Sequence, residues 1–166
     1  MNDNKILKKR NEISSQDKWR LHEIYENEAL WEEDFICFKK ESLKLKDFQG
    51  KLQDKEEILK YLEFNEKVSR QVEKLYVFAH MKSDEDTQNQ KFQGLMNRID
   101  SFMAEFGSYN AFFTPELLSL KESFIQDLID NDERFKIYEF GRIFETCEAE
   151  FRRSQKGYQK IKKCFD

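Results

Sequence analysis

Helix-breaking residues are scarce in this chain. Proline occurs once, at Pro115, and glycine five times in 166 residues. Folds built from many tight turns need more of both, so helices are expected over strands. Long apolar runs are missing too. No stretch approaches the roughly 18 to 20 residues that a membrane-crossing helix requires. Near the N-terminus Ile6-Leu7 is followed at once by Lys8-Lys9-Arg10, which is not the apolar core of a secretory leader. The three cysteines, Cys37, Cys147 and Cys164, are odd in number and share no metal-ligand spacing. Without a leader they are expected to be reduced thiols of a cytoplasmic protein.

What the chain has in quantity is charge and phenylalanine. Charged residues make up 37 %, the mark of long helices with solvated faces, and there are 16 Phe that need burial. The net charge of −4 is uneven. Residues 1–10 carry +3 and residues 151–166 carry +5, leaving −12 on the middle. Such a body repels nucleic acid, and only the basic run from Lys156 to Lys163 could serve as an adaptor for it. No recognisable binding motif accompanies that run, so neither nucleic acid nor a membrane is expected as a partner.

The chain is organised around Lys55 to Asn89. Ile58, Leu59, Leu62, Val68, Val72, Leu75, Tyr76, Ala79 and His80-Met81 recur at spacings of three and four, one wide face of a helix. Asp54 stands where an N-cap belongs, and Glu57 completes a capping box. From Lys55 to Met81 the helix would be roughly 40 Å long. The acidic turn Ser83-Asp84-Glu85-Asp86-Thr87 suits the start of a returning helix, capped by Asp86 or Thr87 and running to about Phe113. Phe92, Leu95, Met96, Ile99, Met103, Phe106 and Tyr109 or Asn110 are its apolar face. Gly94 and Gly107 within it either admit a close neighbour or mark a bend. The predicted fold is all-α, a long antiparallel helical hairpin with additional packed helices.

Residues 1–15 are expected to be flexible. In the next segment Trp19, Leu21, Ile24 and Tyr25 would dock on the body. Asn27 caps a helix to about Lys46 with Leu30, Trp31, Phe35, Phe38 and Leu45 inward. Thr114-Pro115-Glu116 starts a further helix whose apolar face is Leu117, Leu120, Phe124, Ile125, Leu128 and Ile129. Asn131-Asp132 breaks that helix and caps another from about Glu133, with Phe135, Tyr138 and Phe140 on its buried side.

The chemistry-bearing residues are few. His22-Glu23-Ile24-Tyr25-Glu26 imitates a zinc-peptidase helix motif, but the position of the second histidine holds Glu26. Asp84, Glu85 and Asp86 could suggest a calcium loop, yet Asn89 stands where the sharp-turn glycine belongs. Cys37 and Cys147 have no histidine nearby in sequence to activate them. No catalytic, cofactor-binding or metal-ligating residue is therefore assigned.

A family resemblance covers about Asn11 to Phe140. Leu75-Tyr76-Val77-Phe78-Ala79, Lys82-Ser83-Asp84-Glu85-Asp86-Thr87 and Asn89 resemble the N-terminal domain of oligoendopeptidase F, a zinc metallopeptidase family akin to thimet oligopeptidase. Trp19-Arg20-Leu21, Ile24-Tyr25 and Trp31 resemble its opening segment. Phe48-Gln49-Gly50-Lys51-Leu52 and Phe112-Phe113 with Pro115-Glu116-Leu117-Leu118 continue the match in order. The resemblance implies the channel-walling N-terminal part of an enzyme that hydrolyses short peptides. Zinc and its His-Glu-x-x-His belong to a catalytic domain whose motif these residues lack, so the chain is expected to be inactive alone. That catalytic domain is the implied partner.

From Gly141 to the end the chain departs from the family as a basic tail. One permitted codon choice for Gly141 to Arg152, read one nucleotide later, spells a peptide close to the family's pattern. A frameshift near Gly141 and a genuine divergent helix, with Phe144, Cys147, Phe151 and Tyr158 in a stripe, are both open. Truncation would leave apolar surface bare after Pro115, at Phe124, Phe135, Tyr138 and Phe144, and would promote self-association. The alternative reading is a stand-alone helical interaction module.

Overall fold

The structure, a computed structural model, describes residues 12–162. The chain is all-α: among the described residues there is no strand. Seven helices follow in order: α1 Glu28–Ser42, α2 Lys55–Glu85, α3 Gln90–Tyr109, α4 Phe113–Ser119, α5 Glu122–Asn131, α6 Glu133–Ile137 and α7 Phe140–Lys162. Short 3-10 turns at Ser15–Asp17, Leu21–Glu23 and Leu43–Phe48 fill the joints. Two compact units form, one from residues 12–41 with Val68–Glu105, the other from Ser42–Lys67 with residues 106–162. Helices α2 and α3 contribute to both, and their hairpin is the predicted one. Residues 1–11 of the expected flexible N-terminus lie outside the described residues, as do Lys163, Cys164 and the side chain of Tyr158.

In the first unit, Asn27 Oδ1 accepts from the amides of Ala29 and Leu30 and starts α1 as expected. Trp31, Phe35 and Phe38 then fall on one face and are buried, while Leu30 points outward. Trp31 stacks on Phe35 with centroids 5.0 Å apart, and its indole Nε1 donates to the Leu75 carbonyl of α2 at 2.9 Å. Phe102 of α3 meets Phe35 and Phe38 edge-on at 5.6 and 5.5 Å. The α3 stripe is therefore shifted by one position: Phe102 is inside and Met103, expected inside, is exposed. Leu21 and Tyr25 dock as expected, but Trp19 is 52 % exposed.

The turn between α2 and α3 differs from the expectation. Helix α2 runs through Ser83, Asp84 and Glu85. Acidic residues are tolerated in this last turn because His80 Nδ1 sits 3.0 Å from Asp84 Oδ2 and Ser83 is buried, receiving Gln93 Nε2 at 2.9 Å. Neither Asp86 nor Thr87 caps α3. Asn89 does, its Oδ1 accepting from Lys91 N at 3.0 Å, while Asp86 Oδ1 closes the turn on Gln88 N.

In the second unit Asp54 caps α2 through the amides of Glu56 and Glu57. The return half of the capping box is not made, because Glu57 pairs with Lys60 at 2.7 Å instead. Tyr61, outside the expected stripe, is the centre of an aromatic cluster with Phe48, Phe112 and Phe113. Its hydroxyl lies 3.2 Å from Asn110 Oδ1, and Asn110 Nδ2 donates to Asn65 Oδ1 at 3.1 Å.

Thr114 does not cap α4. It lies inside the first turn, its hydroxyl donating to Cys147 Sγ at 3.5 Å. The single helix expected after Pro115 is two. Ser119 Oγ donates back to the Glu116 carbonyl, and Leu120 and Lys121 are extended before α5. Asp132 caps α6 as expected, accepting from Arg134 N at 3.1 Å. Helix α6 stops at Ile137, and Glu139, with φ 48°, turns the chain into α7. Phe135, expected to be bare, is fully buried against Phe140 at 4.9 Å, and α7 packs on α4 and α6.

Candidate functional site

A concavity lies in the first unit, between α1 and α3. It is a groove of about 530 Å³ with Phe35, Ile36 and Lys39 on one wall and Asn97, Arg98 and Phe102 on the other. Local sequence builds it: the 31-35-38 stripe turns α1 so that Ile36 and Lys39 flank the aromatic floor. Arg98 lies over the Trp31 and Phe35 rings at 5.7 and 5.0 Å and forks onto Glu32, Nη2 to Oε1 being 2.7 Å. That bidentate bond, with burial opposing it, raises the Arg98 pKa and lowers that of Glu32. Lys39 Nζ stands 5.3 Å from the Phe102 centroid. The groove offers apolar and cation-covered aromatic surface with polar ends. It contains no nucleophile with a base beside it.

A second polar node in this unit is Asp34. It accepts from the Tyr25 hydroxyl and, at 2.8 Å, from Gln71 Nε2. Burial, then the Asp34 bond and charge, push the Tyr25 phenol far above its ordinary range. Lys74 covers the Tyr25 ring at 4.1 Å. Glu28 receives Lys82 and Lys91 at 3.2 and 3.3 Å. Burial works against its charge, but the two ammonium groups hold its pKa below the usual value. Each of these carboxylates is spent on joining helices.

The residues singled out from sequence do not converge. His22 lies in the turn Leu21–Glu23 and Glu26 just before α1, and both are exposed. The one-turn helical register that a His-Glu motif needs is broken there. His80 is exposed and engaged with Asp84. Cys37 is exposed on α1 and Cys147 buried under α4, both as free thiols. Among the described residues no group of three or more His, Cys, Asp or Glu is placed to hold a metal ion. No described helix is long and apolar enough to cross a membrane.

In the second unit the strongest electrostatic feature is Arg134, which forks onto Glu56 at 3.0 and 2.8 Å while also holding Asp132 at 2.8 Å. Lys55 adds a 3.0 Å contact to Asp132. The Arg134 bond, then the Lys55 bond, drive the Asp132 carboxyl well below the usual carboxylate range. Sequence reasoning missed this clamp and the Glu32–Arg98 fork. Their partners lie 78 and 66 residues apart, and no local pattern signals such pairs.

No protein-family model matches the chain. Relatives do. Oligopeptidase PepF of Bacillus subtilis is 33 % identical over 133 residues, 80 % of this chain and 20 % of its own length. The oligoendopeptidase F homolog of Lactococcus lactis subsp. lactis is 35 % identical over 145 residues, 84 % of this chain and 24 % of its own length. Group B oligopeptidase PepB of Streptococcus agalactiae is 32 % identical over 121 residues, covering 72 % of this chain. A crystal structure from Chlamydophila abortus, described as that of a peptidase, superposes with a TM-score of 0.73 at 29 % identity, over 84 % of this chain and 24 % of its own. The fold and the relatives together define a helical segment of the oligopeptidase type. The chain belongs with the oligoendopeptidase F proteins, and it spans about a fifth to a quarter of the length of the curated relatives it matches.

Proposed function

We propose that this chain is the channel-walling N-terminal segment of an oligoendopeptidase F-type zinc enzyme, acting with a catalytic domain outside these 166 residues. The observation that carries the reading is the similarity to named oligopeptidases over most of the chain and a minor part of theirs. The residues here do not fit the metal themselves: the two histidines are exposed, and one is tied to Asp84. The wall would admit short unfolded peptides and exclude folded proteins by its shape, and the α1–α3 groove supplies surface for peptide side chains. Cytoplasmic residence belongs to the same reading.

The test is complementation. The purified chain with added zinc is expected to cleave no short fluorogenic peptide above blank. Added to a PepF fragment that lacks the matching segment, it is expected to restore cleavage. Turnover by the chain alone that is abolished by a chelator and by His22→Ala would overturn the reading. The second reading, a helical interaction module, is favoured by one observation: every described side chain from Glu150 to Lys156 on α7 is exposed.

A further inference from the structure

We draw no further inference here: the strongest candidate, the groove between α1 and α3 with Ile36 exposed beside its Phe35 and Phe102 floor, carries nothing, since nothing in the structure shows what covers it.

Discussion

Replacing Gly94 and Gly107 with alanine should stabilise the chain. Both glycines sit inside α3, where glycine costs roughly 1 kcal/mol relative to alanine through backbone entropy. The sign depends on space. A Cβ built at either position meets no heavy atom within 4 Å, so the gain is not offset by a clash, and neither glycine is there to admit a neighbour. The positions are thirteen residues apart, about 20 Å along the helix, so their effects should add to about 2 kcal/mol. With a urea slope of about 2 kcal/mol/M the paired variant should unfold about 1 M later than the parent. Gly94 belongs to the first unit and Gly107 to the second, so if the units unfold separately each replacement should move its own transition. Urea titration followed by far-UV circular dichroism reads both. An earlier midpoint for either single variant would refute the reasoning, since it would mean that something approaches that backbone in solution.

Three further outcomes follow from the packing and the caps. Trp31→Ala should cost about 3 to 5 kcal/mol, and Trp31→Phe about 1 to 3, because the smaller ring keeps the stack on Phe35 but loses the bond to the Leu75 carbonyl; chemical denaturation checks both. Asn89→Ala should cost about 1 kcal/mol, while the double replacement of Asp86 and Thr87 by alanine should cost less, since Asn89 holds the α3 cap; equal midpoints for the two variants would contradict the turn geometry. Asp132 has a depressed folded pKa, so its contribution is present above the unfolded value of about 3.9 and is lost as pH falls through the lower folded one. Asp132→Ala should therefore unfold earlier than the parent at neutral pH, with the gap closing in strong acid, as urea midpoints measured against pH would show.

The legible parts of the fold were those fixed by neighbours in sequence. Asp54, Asn27 and Asp132 cap helices through amides two and three residues on, and a capping side chain announces itself locally. The burial of Trp31, Phe35, Phe38 and Leu75 follows from period alone. What failed was phase and interruption. In α3 both Phe102 and Met103 fit a helical stripe within one position, and only the Phe35–Phe38 floor decides for Phe102. The breaks at Leu120–Lys121 and at Glu139 contain neither glycine nor proline. They are set by the Ser119 hydroxyl, and by a positive φ at Glu139 that the packing of Phe140 on Phe135 holds in place. Of the candidate site, the Arg98 fork and the Arg134 clamp were not legible, because they join residues distant in sequence.

The channel-wall reading covers a tryptophan that the isolated chain leaves bare. Trp31 has no exposure and Trp19 is half exposed, so acrylamide should quench one of two emitters in the isolated chain. Trp19 was expected to dock on the body, and its exposure makes it a candidate for a surface that a larger partner covers. Addition of a catalytic fragment of PepF should lower the quenchable fraction if the chain walls a peptidase channel. Trp19→Phe should leave a protein whose emission resists quenching under both conditions, which assigns the signal. Unchanged quenching in a mixture that has regained peptidase activity would show that the partner docks elsewhere than on the opening segment.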